Sequence, residues 1–92
     1  MDIKELENSL EESGYNKEYM VEERNQYSMR GDILDIFPKN SKYPVRIEFS
    51  FNNEVERIAY FDIETQKSVE KKNQVYMYIN NNIEEKNSFL DF

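Results

Sequence analysis

Asp32, Asp35 and Asp62 are the residues through which this 92-residue chain could most directly do chemistry, since hard carboxylate oxygens can share a divalent cation. Along an alternating strand, however, Asp32 and Asp35 point to opposite faces, so turn and capping roles account for these acids more simply. The chain has no His and no Cys, which removes thiol nucleophiles, disulfides, thiolate or imidazole zinc sites and the usual base near neutral pH. A phosphate loop needs a glycine-rich turn, and Gly14 and Gly31 are the two glycines. No catalytic group, metal or cofactor is therefore expected. Arg30-Gly31-Asp32 matches an adhesion tripeptide, a coincidence inside an alternating strand. Arg30 itself is one of four arginines and sits just before a glycine, where the missing side chain leaves room for another backbone. The residues alone leave it two roles: a cross-strand ion pair with one of many carboxylates, or a contact with a partner.

Charge and hydropathy bound the setting of such a contact. Twelve Lys plus Arg against 19 Asp plus Glu give a net charge of -7, which opposes nonspecific binding to the phosphates of nucleic acid. No apolar run approaches the roughly 20 residues that span a bilayer, and Met-Asp-Ile-Lys-Glu-Leu is not a secretory start, so a cytoplasmic protein that binds no membrane is expected. Hydrophobic residues are 38% of the chain, but seven Tyr and six Phe supply large buried areas, enough for one modest core.

The elements that must position Arg30 follow from periodicity. Ile3, Leu6 and Leu10 lie on one helical face, Asp2 and Glu5 stand in capping-box positions, and Gly14 supplies the stop, predicting a helix over Ile3 to Ser13. The period then changes to two in Tyr19-Met20-Val21 and in Tyr27 to Phe37, predicting strands. Read as one strand, the second run carries Tyr27, Met29, Ile33 and Phe37 on one face and Leu34 and Ile36 on the other, as for a strand entering a two-sided core, and Pro38 ends it. A hairpin is predicted from Val45–Phe51 and Glu54–Phe61, turning at Asn52-Asn53. Its register places Val45 opposite Tyr60, Ile47 opposite Ile58 and Glu48 opposite Arg57. Gln74 to Ile79 reads as a further strand and Asn80-Asn81-Asn82 as a break, while the ending Ser-Phe-Leu-Asp-Phe leaves apolar groups short of partners, as expected of a chain cut from a longer polypeptide.

Three collinear segments, Tyr27-Ser28-Met29-Arg30-Gly31-Asp32-Ile33-Leu34-Asp35-Ile36-Phe37-Pro38, Tyr43-Pro44-Val45-Arg46-Ile47-Glu48-Phe49 and Phe61-Asp62-Ile63-Glu64-Thr65-Gln66-Lys67-Ser68, together resemble the UvrA-interaction module shared by bacterial transcription-repair coupling factors (Mfd) and the excinuclease subunit UvrB. The likeness runs from about Leu6 to Ile79. It favours the coupling factors, because Ser28 stands where UvrB usually has a second arginine and because the Thr65-Gln66 pair is generally absent from UvrB. The turn at Phe51-Asn52-Asn53 departs from the family pattern, which is one residue shorter and built on Gly-Asp.

That resemblance implies an α+β module, an N-terminal helix packed on a mainly antiparallel sheet, inserted into a larger helicase-like protein. Residues 1–79 would form the module and residues 80–92 would lead back into the neighbouring domain, with Ile3 and Ile83 close together. It implies no enzymatic activity here; the ATPase of an ATP-dependent DNA translocase would lie elsewhere in the parent. It implies a protein-protein interaction that recruits UvrA of nucleotide excision repair to stalled RNA polymerase, with Arg30 and Lys17 in contact with UvrA. Lys17 stands where UvrB commonly has arginine and lacks the bidentate fork. The alternative is an intramolecular clamp in which the same module binds another domain of its parent, or the equivalent domain of UvrB. The module would be a monomer that binds no nucleic acid directly.

Overall fold

Asp2 starts the chain's one described helix by accepting hydrogen bonds at its carboxylate from the N–H groups of Lys4 (3.0 Å) and Glu5 (3.3 Å), two donors that the first turn cannot satisfy itself. This computed structural model describes residues 2–72. The helix, α1, spans Ile3–Glu12, one residue short of the predicted end. It closes with Gly14 at φ 93°: Gly14 N–H donates to the Glu11 carbonyl and Tyr15 N–H to the Leu10 carbonyl, the paired bonds of a Schellman cap. Leu6 and Leu10 are buried on its inner face.

Among the described residues six strands follow in one sheet, in the order in which they occur in the chain: β1 Asn16–Lys17, β2 Gln26–Arg30, β3 Ile33–Ile36, β4 Val45–Phe49, β5 Val55–Phe61 and β6 Ser68–Lys72. All neighbours are antiparallel except β1 and β2. The fold is α+β, as the sequence predicts.

Residues 27–37, predicted as one strand, form parts of two. Gly31 takes φ 59°, the left-handed value required at the first central position of a glycine-first two-residue hairpin turn, and Gly31-Asp32 folds β2 back on β3. The glycine serves this angle and not a close approach, since a Cβ there would meet nothing within 4 Å. Tyr27 pairs with Ile36 and Met29 with Leu34, so a two-residue turn reverses the parity of the face count. Leu34 and Ile36, on the wrong face in a single-strand reading, thereby join Tyr27 on the helix side.

Tyr19-Met20-Val21 is not a strand. The sheet holds Asn16 and Lys17, Glu18 N–H still donates to the Tyr27 carbonyl, and the chain then leaves the edge so that Val21 is buried with Phe37 and Phe61. The predicted register of the β4–β5 hairpin holds from Val45–Tyr60 to Glu48–Arg57 and then slips by one, with Phe49 opposite Val55. The turn accordingly has three residues, Phe51-Asn52-Asn53, with Asn53 at φ 63° and Asn53 N–H bonded to the Ser50 carbonyl. β1 and β6 have no counterpart among the predicted elements. The predicted strand 74–79, the break at 80–82, the boundary at 79/80 and the proximity of Ile3 to Ile83 lie outside the described residues.

The core fills the space between α1 and one face of the sheet: Leu6, Leu10 and Tyr15 meet Tyr27, Leu34, Ile36, Val45, Ile47, Phe49 and Ile58. Among the described residues the opposite face is covered over one half, by the segment after β1 and the turn after β5, which bury Val21, Phe37 and Phe61 with Ile63 against it.

Candidate functional site

The half-covered face presents two adjacent cross-strand rows. Ser28, Asp35, Arg46 and Ala59 are successive register partners and form the inner row; Arg30, Ile33, Glu48 and Arg57 form the outer one. Ser28, Asp35 and Ala59 are buried. The outer row is open, with the side chains of Arg30 and Arg57 43% and 44% exposed.

Asp35, 1% exposed, is the centre of the inner row. Arg46 grips it with both prongs of its guanidinium, Nε to Oδ1 at 2.7 Å and Nη2 to Oδ2 at 2.9 Å, the strongest geometry available to this pair. The remaining donor edge of Arg46 reaches the Gln66 carbonyl at 2.9 Å from Nη1, and its Cζ lies 4.6 Å from the centroid of the Phe61 ring. The Asp35 carboxylate pushes the Arg46 guanidinium still further toward its charged form, against the opposing effect of burial. Asp35 is thus neither a turn nor a capping residue, contrary to expectation; the reversed parity after Gly31-Asp32 puts it beside Ser28 and opposite Arg46.

Arg30 shares this carboxylate from the outer row. Its Nη2 lies 3.5 Å from Asp35 Oδ2, an ion pair too long for a strong hydrogen bond, and its guanidinium stands 5.7 Å from the Tyr19 ring centroid. Both roles open to Arg30 in the sequence are therefore compatible: it is paired, yet its contacts among the described residues engage little of its donor capacity. Two arginines on one carboxylate leave local positive charge on an acidic chain.

Arg30, Ile33, Met20, Arg46 and Gln66 line a cleft of about 440 Å³. Ile33 and Met20 are each 37% exposed and Tyr19 is 79% exposed, so apolar surface borders the arginine. The floor is held by Gln66, at φ 61°, whose Nε2 donates to the carbonyls of Ile63 (2.8 Å) and Val21 (3.3 Å) and so joins the two covering segments. Asp62 shapes that turn by accepting from the N–H groups of Glu64 and Thr65, the turn role expected of it.

Lys17 lies elsewhere. It pairs in register with Tyr27 on the helix side, and its Nζ forms a 3.1 Å ion pair with Glu7 of α1. The structure does not bring the two predicted contact residues into one cluster. Asp35, Arg46, Gln66 and Tyr19 were not singled out for this site by sequence; a two-strand reading of residues 27–37 would have placed Asp35 and Arg30 on one face. Among the described residues no group of three or more His, Cys, Asp or Glu could hold a metal ion, and no helix is long and apolar enough to cross a membrane.

Comparison with known proteins places these features in a family. The model of the UvrB interaction domain matches residues 1–82. Curated relatives include the transcription-repair-coupling factors of Staphylococcus epidermidis, 43% identical over 75 residues and 82% of this chain, and of Staphylococcus haemolyticus, 44% identical over 68 residues and 74% of this chain. That of Haemophilus influenzae is 36% identical over 69 residues, 75% of this chain. The chain spans about 6% of the length of each.

Proposed function

The chain belongs to the UvrB interaction domain family, and from that membership we propose that it is the part of a transcription-repair coupling factor that docks UvrA and so brings nucleotide excision repair to stalled RNA polymerase. The observation that carries this reading is Arg30: a half-exposed guanidinium at the rim of a cleft, on the face opposite the helix, bordered by Tyr19, Met20 and Ile33. Arginine, with Trp and Tyr, is among the side chains enriched where interface energy concentrates. Lys17 is a second and weaker contact, since its ammonium is already paired with Glu7 and approaches from the helix side.

The mechanism is docking rather than bond chemistry. A carboxylate on UvrA would displace water from Arg30 and gain a charge-assisted pair, while the apolar border would exclude solvent from it. The acidic body discourages competition by DNA for the same arginine. A second reading is the clamp, in which another domain of the parent covers this face at rest; the exposed apolar border supports it equally. Titration of the chain into UvrA and, separately, into the remainder of its parent decides between them. Saturable binding to UvrA supports docking, and binding to the parent alone supports the clamp.

A further inference from the structure

We propose that Asp35 and Arg46 are positioning residues that aim Arg30 at its partner, an inference that rests on the reading of Arg30 as the docking contact. A long arginine side chain at the end of a strand, next to a turn, ordinarily samples many rotamers, and immobilising it on binding weakens the complex. Here two groups limit that freedom before any partner arrives: Asp35 Oδ2 at 3.5 Å and the Tyr19 ring at 5.7 Å. Asp35 can act in this way because it cannot itself turn aside. Both its oxygens are held by Arg46, and Arg46 is held in turn by the Gln66 carbonyl and the Phe61 ring.

Arg46 is unsuited to contacting the partner directly. Its side chain is 13% exposed, and its three nitrogens already have acceptors. Nor does stability require an ion pair here, because apolar residues of similar volume commonly replace a buried pair without loss. What apolar residues would not replace is the carboxylate oxygen shared with Arg30. The Tyr19 contact belongs to the same device: Ser28, next to Asp35 in the inner row, donates its hydroxyl proton to the Tyr19 carbonyl at 2.9 Å and fixes the segment that carries the ring.

The test is a double-mutant cycle on the 92-residue chain. Affinity for UvrA is measured for the wild type, Arg30→Ala, the apolar replacement Asp35→Leu with Arg46→Met, and the triple variant. The apolar replacement is expected to keep a cooperative melting transition, to bind about 3- to 10-fold more weakly, and to add nothing once Arg30 is Ala. Unchanged affinity, or an equal loss with and without Arg30, overturns the inference. If the apolar replacement does not fold, Arg46→Lys keeps the charge and removes the fork; its affinity should fall about 2- to 3-fold only when Arg30 is present, and no fall overturns the inference. Relaxation of the Arg30 Nε–H without UvrA separates the two readings. A rigid Arg30 that becomes mobile in the apolar replacement supports positioning even where wild-type chain fails to bind UvrA, and a mobile Arg30 in the wild type refutes it.

Discussion

The two faces of the sheet are built from the same strands and held by different physics. The helix side is apolar and closed: Leu6 and Leu10 fill it against Tyr27, Ile36, Val45, Ile47 and Ile58, and its binding energy is area removed from water. The other side is, among the described residues, half open and organised around the buried carboxylate of Asp35 with two arginines. The first face makes the fold and the second points a charged group outward from it. Stability and recognition should therefore respond to different substitutions.

Leu10→Ala on the closed face should have the largest effect on stability, about 3 kcal/mol, because its fully buried side chain leaves a cavity. Urea denaturation measures the loss; a change below about 1 kcal/mol would break the assignment of stability to this face. Gly31→Ala should destabilise by between about 1 and 2 kcal/mol through its left-handed φ alone, since the added methyl group meets open space. The same unfolding experiment checks it, and Gly31→Asn, which tolerates that conformation, should recover part of the loss.

Tyr27 ties the stability of the closed side to pH. Burial, and then its hydrogen bond to Glu11 at 2.6 Å, push its phenol well above the ordinary value of 10.0. The folded state thus keeps the proton longer than the unfolded chain. The contribution is complete below pH 10 and is lost as pH rises beyond it, where the unfolded state releases protons first. Tyr27→Phe should lower stability near pH 8 by about 1 kcal/mol and lose less than wild type on going to about pH 11. Equal losses would contradict the assignment. The smallest effect is expected at Lys17: Lys17→Ala should weaken UvrA binding by about 2- to 3-fold, in keeping with an exposed ion pair to Glu7. A loss beyond tenfold in surface-based titration would instead place the interface on the helix side.

Most of the closed face was legible in the sequence, Leu34 and Ile36 excepted, and of the open face the pair Glu48–Arg57 was. Ile3, Leu6 and Leu10 declare a helix by spacing, Asp2 and Gly14 declare its ends, and the pairs Val45–Tyr60 and Ile47–Ile58 agree with the charge pair Glu48–Arg57 on one register. Arg30 was also visible, through its place before Gly31 and the resemblance of its segment. Its surroundings were hidden by a parity error. An uninterrupted alternation from Tyr27 to Phe37 favours one strand, and the two-residue turn at Gly31-Asp32 preserves the alternation while exchanging the faces. Asp35 consequently looked like a turn residue when it is the buried anchor of two arginines. β1 was missed because two polar residues carry no hydrophobic period, and the three-residue turn at Phe51 was misjudged because Asn52 and Asn53 both tolerate the angle that Asn53 alone adopts.

If the open face docks UvrA, Arg30 carries the contact. Calorimetric titration of the chain into UvrA from the same organism, with Arg30→Glu alongside, tests it most directly. Saturable binding is expected of the wild type and should be lost in a variant that circular dichroism shows to be folded. A folded Arg30→Glu chain that binds UvrA with wild-type affinity would contradict it.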